Sequence, residues 1–292
     1  MRSKILVSLN TKLLFLGFFL LFILCFILRS NLSSSPYPPT TSSPQSNSSE
    51  ETQSSLPSTT TRPTQSCTKI PPSLANTIIH YAASNTTPQQ TIKEISITSQ
   101  VLERRSPCNF LIFGLGRDSL MWTALNHGGR TVFLEEDRQW IETIQQELPN
   151  LEAYHVEYDT KVSQAEELLE LGQLPECTTV GDVRLSKCRL ALKGLPEAFF
   201  EVEWDLIMVD APTGYFPGAP GRMGAIYTAG MAARWRKEGE TDVFVHDVNR
   251  FAEDRFSRKF LCEGYMRQEE GFLRHFTIPS HRGDMAMPFC PN

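Results

Sequence analysis

This 292-residue sequence has no Cys-x-x-Cys pair, a single long uncharged apolar run, no internal repeat and, beyond residue 66, a shortage of positive charge. Without Cys-x-x-Cys the usual spacing of a structural zinc site is missing. One apolar run excludes a multi-span membrane protein, and the composition excludes collagen and coiled coil. Residues 1–66 hold five basic and two acidic side chains; the remainder holds 23 and 31, a formal net charge of −8. A domain of that sign lacks the basic footprint of bulk nucleic-acid binding, so no nucleic-acid partner is expected. An anionic ligand would need a local arginine cluster to overcome the overall field.

Aromatics are nearly absent from residues 30–66, where Tyr37 stands alone among 13 Ser, 7 Thr and 6 Pro. Such a stretch buries too little apolar surface to offset its ordering entropy, and it predicts a disordered stem. Ahead of it, residues 13–28 carry neither charge nor proline, with Arg2, Lys4 and Lys12 before them and Arg29 after. As a helix this run spans about 24 Å, short for a bilayer core of ~30 Å but tolerable in a thin secretory-pathway membrane. No small-residue cleavage site follows it, which favours an uncleaved signal anchor over a signal peptide. The excess of cations on its N-terminal side predicts type II insertion. The expected layout is a cytosolic tail at 1–12, a membrane anchor at 13–28, a stem at 29–66 and a lumenal domain at 67–292. A short span with such a stem points to the Golgi.

A lumenal compartment permits disulfides. Besides Cys25 in the apolar run, Cys67, Cys108, Cys177, Cys188, Cys262 and Cys290 remain. Six cysteines allow 15 pairings; Cys177 and Cys188, close in sequence around a polar segment, form the best single pair. Asn31, Asn47 and Asn85 open N-x-S/T sequons, of which the last two are far enough from the membrane to be glycosylated.

In the folded part, residues 73–104 read as helical. From Cys108 onward strands alternate with helices: strands at 109–113, 131–134, 153–158, 205–209 and 242–246, helices at 119–126, 138–148, 162–171, 223–237 and 251–261, an irregular insertion at 172–200, and an edge strand at 272–278. Strands separated by single helices predict a doubly wound α/β domain with a mostly parallel sheet. Ligands of such folds bind beyond the carboxyl ends of the strands.

Four signals lie at those ends. Gly114-Leu115-Gly116 follows the first strand, and Glu135 and Glu136 end the second, a spacing that lets glycines approach a ligand and an acid receive ribose hydroxyls. The third glycine of the dinucleotide fingerprint is replaced by Ser119, so a nucleoside ligand without phosphate contacts, such as S-adenosylmethionine, fits better than a nicotinamide dinucleotide. Asp210-Ala211-Pro212 follows the most apolar strand. His246-Asp247-Val248-Asn249-Arg250 follows the next; Asp210, His246 or Asp247 could take a proton from an alcohol, and Asp210, Asp247 and Asn249 could instead hold one divalent cation through oxygen. A Gly- and Pro-rich loop carries Tyr215 and ends at Arg222, a cation at a helix start where a carboxylate ligand would account for it.

The runs Cys108-Asn-Phe-Leu-Ile-Phe-Gly-Leu-Gly-Arg-Asp-Ser-Leu-Met-Trp122, Asn126-His-Gly-Gly-Arg-Thr131, Asp205-Leu-Ile-Met-Val-Asp-Ala-Pro-Thr-Gly-Tyr215, Pro220-Gly-Arg-Met223, Val243-Phe-Val-His-Asp247 and Arg274-His-Phe-Thr-Ile-Pro-Ser-His-Arg282 resemble the plant glucuronoxylan 4-O-methyltransferases. The likeness covers about residues 67–283 and the anchor-and-stem layout. It implies a Rossmann-like methyltransferase fold and a Golgi enzyme that moves a methyl group from S-adenosyl-L-methionine to O4 of glucuronic acid on glucuronoxylan, alongside other Golgi xylan-synthesis proteins. Relatives that methylate arabinogalactan, and relatives without shown methyl transfer, share several blocks. The last lack the second glycine that this chain has at Gly116. Arg117 departs from the commoner His of the family. Carried over, the resemblance places Gly114, Gly116, Glu135 or Glu136 and Asp159 at the cofactor, and Asp210, His246 and Asp247 around the reacting oxygen. Tyr215, Arg222 and Arg250 are then the candidates for the acceptor, the arginines for its carboxylate.

Overall fold

The computed structural model describes residues 69–284 and 287–291. The expected tail, anchor and stem, the sequons at Asn31 and Asn47, and Cys67 lie outside them. Among the described residues no helix is long and apolar enough to cross a membrane.

The predicted helical segment 73–104 is two helices, α1 (Pro72–Ala83) and α2 (Ile92–Arg105). The break falls in the polar stretch 84–91, and α2 restarts through a capping box: the Thr91 hydroxyl accepts from the Glu94 amide while the Glu94 carboxylate accepts from the Thr91 amide. Periodicity alone runs through such a break; the cap decides it.

Beyond α2 the alternation holds: β1 (Asn109–Phe113), α3 (Ser119–Leu125), β2 (Arg130–Glu135), α4 (Arg138–Glu147), β3 (Glu152–His155), α5 (Ala165–Leu171), β4 (Leu206–Val209), α6 (Met223–Trp235), β5 (Glu240–Val245) and α7 (Phe251–Phe256), which continues as a π-turn over Ser257–Cys262. Two strands follow rather than one, β6 (Met266–Glu270) and β7 (Leu273–Pro279). The sheet order is β3-β2-β1-β4-β5-β7-β6. All pairings from β3 to β5 are parallel, and β7 runs antiparallel to both neighbours. The expected edge strand at 272–278 is therefore interior, and the true edge is β6. Its sequence Met-Arg-Gln-Glu-Glu is half-buried to exposed throughout, so it carries no apolar pattern to read.

Helices cover both faces. Phe110, Ile112, Phe133, Leu206, Met208 and Phe244 pack with Val101 and Leu102 of α2, Trp122 of α3 and Ile141 and Ile144 of α4. Leu111, Phe113, Leu134, Ile207, Val209, Val243 and Val245 pack with Leu168 of α5, Ile226 and Tyr227 of α6 and Phe256 and Phe260 beyond it. Strands buried on both sides explain the near-continuous apolar runs from which they were read.

The insertion 172–200 is irregular, as the sequence predicts, and it is tied down by the expected Cys177–Cys188 disulfide, both partners buried in the second of these cores. Cys262 and Cys290 form another bridge, which pins the C-terminal segment, and Cys108 is a buried free thiol. Replacing Cys177 and Cys188 together by Ser should lower stability by about 2–3 kcal/mol, mainly by freeing the short loop in the unfolded chain. Chemical denaturation measures this, and an unchanged midpoint would mean the loop is held by packing alone.

Candidate active site

β1 lies between β2 and β4, so the direction of winding reverses between β1 and β4. Their carboxyl ends are level: the Asp210 amide donates to the Phe113 carbonyl at 2.9 Å, and the His246 amide to the Val209 carbonyl at 3.1 Å. Above this switch point opens a cleft of about 1080 Å³, the place where a doubly wound sheet binds ligands. Its walls come from the turn after β1, the ends of β2 and β4, the loop after β5, and residues 84–89 ahead of α2.

The turn after β1 depends on Gly114, whose φ of 125° is open to glycine alone and where a Cβ would press on Ala211. Gly116 has an ordinary φ; a Cβ there would fall 2.6 Å from an Asp118 oxygen, so its role is clearance on the cleft wall. The two acids at the end of β2 divide their work. Both oxygens of Glu135 are taken by backbone amides, Leu115 at 2.9 Å on one and Glu136 and Asp137 at 2.9 and 3.1 Å on the other. Burial pushes the Glu135 carboxyl up despite these bonds. It is a strut that fastens the glycine turn to β2. Glu136 receives the amide and hydroxyl of Thr213 on one oxygen, and its other oxygen has no partner. Glu136 lines the cleft, and this oxygen, buried and orphaned, is the acceptor capacity left at the end of β2. Asp159 does not line the cleft; it lies exposed, paired with Arg189 at 2.5 Å.

At the floor, Asp210 accepts from His246 Nδ1 at 2.9 Å and Arg222 at 3.2 Å on one oxygen and from Gln90 Nε2 at 3.1 Å on the other. Burial works to raise its carboxyl, but the His246 hydrogen bond and the Arg222 charge outweigh it and hold Asp210 below the ordinary carboxylate range. His246 stands behind Asp210, off the cleft surface, its side chain only 5% exposed. Burial works to lower its imidazole; the bond to Asp210 and the charges of Asp210 and Asp247 prevail and raise it. Its Nε2 faces Glu94 of α2 at 3.9 Å. Glu94 is itself gripped by the Thr91 and Phe272 amides, each at 2.6 Å. Asp247 takes a left-handed backbone, φ 62°, which turns its carboxylate back toward Arg222 and Arg250, each at 2.9 Å. Strain of this kind persists where the surroundings over-determine it.

The two arginines separate in the same way. Arg222, 4% exposed, bonds the Pro212 and His246 carbonyls and lies against Asp210, Asp247 and Glu253. Although it touches the cleft, its donors are spent on the protein, so it neutralises buried carboxylates rather than gripping a ligand. Arg250, 29% exposed on the cleft, is held by Asp247 and the Thr213 carbonyl and keeps donors toward the opening. Tyr215 lies on the same wall and is 71% exposed.

Asp210, His246 and Asp247 come within 4.8 Å of one another, but this donor set does not suit a divalent cation. Each carboxylate already bonds the Arg222 guanidinium, a fixed cation where the metal would sit, and Asn249 is exposed outside the cleft. Two cleft residues, Asp118 and Trp140, and Gln90 buried beneath its floor are not among the candidates the sequence offers. Asp118 bonds Trp122 Nε1 at 3.1 Å, and burial together with the nearby Asp210 charge raises its carboxyl. Trp140 donates to the Leu115 carbonyl at 2.6 Å. Gln90 keeps one amide oxygen without a partner. Asp118 sits inside the glycine motif and was within reach of it; Gln90 and Glu94 lie more than a hundred residues from Asp210, with no local signal linking them.

The Asp210–His246 pair sets a pH window. Asp210, depressed when folded, contributes stability above the unfolded carboxylate value near 3.8 and loses it as pH falls through the folded one. His246, raised when folded, contributes fully below 6.5 and loses this as pH rises through its folded value. Melting temperature should therefore peak between about pH 4 and 6.5 and decline on the alkaline side. In His246→Gln that alkaline decline should flatten, and an identical slope in both proteins would remove the pair from the account.

The model of the family described as IRX15/IRX15L/GXM matches residues 93–276. Glucuronoxylan 4-O-methyltransferase 3 of Arabidopsis thaliana is 58% identical to this chain across all of it and 98% of the relative. Arabinogalactan O-methyltransferase 2 of the same plant is 52% identical over 73% of this chain and 76% of its own. Protein IRX15-LIKE, also from Arabidopsis thaliana, is 38% identical over 72% and 68%. The matched segment spans the cleft residues from Ile112 to Arg250, and with these relatives it shows that the chain belongs to the IRX15/IRX15L/GXM family.

Proposed function

We propose that this domain transfers a methyl group from S-adenosyl-L-methionine to O4 of glucuronic acid side chains on glucuronoxylan. The observation that carries this reading is Asp210: one carboxylate, kept ionised by His246 and Arg222, on the floor of a switch-point cleft that also holds the glycine turn and Arg250. The full-length likeness to relatives named for that reaction supports the choice of acceptor.

The donor supplies an electrophilic methyl on a sulfonium. The cleft fits such a ligand through the open backbone at Gly114 and Gly116, the unpartnered Glu136 oxygen for ribose hydroxyls, and the carboxyl of Asp118. Asp210 is placed to accept the acceptor's hydroxyl proton as the new bond forms. His246, donating from Nδ1 and braced by Glu94, orients Asp210. Asp247 holds Arg250, whose planar guanidinium can grip a uronate carboxylate. Tyr215 offers a ring face to the sugar.

A single incubation with labelled S-adenosyl-L-methionine tests the reading. Label on unmethylated glucuronoxylan is expected. Label on arabinogalactan alone would move the enzyme to the acceptor of its 52%-identical relative, and no donor binding at all would make it a non-catalytic scaffold. The proposed setting is the Golgi lumen behind a type II anchor, with Asn85 exposed for glycosylation; a fluorescent fusion that stays in the cytosol would overturn it.

A further inference from the structure

A second groove, of about 520 Å³, runs between the C-terminal half of α2 and the outer strands β5, β7 and β6. Its charges do not cancel. Of its acids, Glu240 and Asp242 are both bound by Arg105 at 2.8 Å, and Asp242 also accepts from His275 and Thr277. Arg104 and Arg267 line the same groove and have no ion pair or hydrogen bond among the described residues. Two unpaired guanidinium groups thus share one groove, whose three arginines against two acids leave it one positive charge in excess in a domain whose net charge is −8. Gln100 and Gln268 add amide donors beside them.

Simpler roles explain only parts of this. A cation in the last turn of α2 complements the helix dipole, which accounts for Arg104. Charge on an edge strand discourages pairing with other chains. Yet the other β6 charges are bound, Glu269 to Arg274 and Glu270 to Lys93. Arg267 is also the extra residue of a bulge: Met266 pairs with Phe276 and Gln268 with the adjacent His275. Bulges at sheet edges re-aim a side chain, and this one puts Arg267 on the groove with Arg104. The groove is connected to the cleft by α2 itself. Glu94 braces His246 at one end of the helix, and Arg104 lies ten residues further, about 15 Å along the axis.

We propose that this groove is a second acceptor subsite, in which Arg104 and Arg267 hold uronate carboxylates of the polysaccharide that flank the residue being methylated. This rests on the reading of the acceptor as an acidic polymer. A polymer reaches both sites at once, and a fragment with a single uronate reaches only the cleft. Polymer binding then gains from the second attachment without any new contact at the catalytic centre.

The test compares the wild-type chain with the double variant Arg104→Glu/Arg267→Glu on two acceptors, polymeric unmethylated glucuronoxylan and a xylo-oligosaccharide bearing one glucuronate. For the polymer, KM should rise roughly three- to thirtyfold in the variant, the range expected for two exposed ion pairs, with kcat unchanged. For the short acceptor neither constant should move. The difference on the polymer should close at about 1 M salt, where exposed pairs are screened. An unmoved polymer KM overturns the subsite alone, and so does an equal change on both acceptors. A wild-type chain that turns over neither acceptor overturns the function reading and the subsite with it.

Discussion

Asparagine in place of Asp210 is expected to lower kcat for methyl transfer by about 10²–10⁴-fold, the usual contribution of a positioned general base. The fold should survive. Asn is nearly isosteric, and its carbonyl can still accept from His246 and Arg222. Its new amide would face the Gln90 Nε2 donor; the Gln90 amide oxygen has no partner among the described residues, so rotation of the Gln90 amide presents that oxygen and restores the contact. The proton acceptor is therefore removed with little else disturbed. KM for the acceptor should change much less than kcat, since Arg250 and the cleft walls remain. His246→Gln is the informative contrast. Because His246 sits behind Asp210 and off the cleft, its loss should cost less than that of Asp210 and should shift the acid limb of the pH–rate profile upward, as Asp210 loses the partner that depresses it. Full activity in Asp210→Asn would end the proton-transfer claim; a larger loss in His246→Gln would return His246 to the reacting oxygen.

The largest stability effect should come from Arg222→Met. Three carboxylates, Asp210, Asp247 and Glu253, converge on this guanidinium inside the protein. Removing one partner of a buried ionic cluster leaves uncompensated charge, which costs about 3–5 kcal/mol. Glu253 is already pushed up by burial, and among the described residues no hydrogen bond reaches its carboxyl oxygens. Without Arg222 it should be the first of the three to take a proton. The loss should accordingly be smaller near pH 5 than near pH 8, a pH dependence that a simple packing defect would lack. Lysine should rescue poorly, since one ammonium cannot span three carboxylates and two carbonyls. Denaturant titrations at the two pH values provide the measurement. A loss below 1 kcal/mol at both would mean that these acids are compensated by other means.

Much of this molecule was readable along the chain. The apolar runs at 109–113 and 205–209 are buried on both faces and therefore carry no polar alternation, which marks them as interior parallel strands. The glycine turn, the acids after β2, Asp210 and the His246-Asp247 step stand at strand ends, and strand ends are where a doubly wound sheet collects its ligand. The same logic failed at β6. That strand is an exposed edge with no apolar side chain to bury beyond Met266, so its residues follow solubility rather than the sheet.

Local pattern and family likeness together thus determined the fold class, the Cys177–Cys188 bridge and the stretch of chain that carries chemistry, because each is written in residues near one another or in long specific runs. Tertiary structure alone decided how those residues divide their work. Glu135 and Arg222 face inward and are consumed by the protein, Glu136 and Arg250 face the cleft with capacity left, and Asp159 pairs on the surface with Arg189. Gln90 and Glu94, brought in by a helix start far upstream, complete the support of Asp210. The reason is physical: a side chain's charge and hydrogen-bond capacity belong to its sequence, but what remains free for a ligand depends on which partners the fold has already brought within bonding distance.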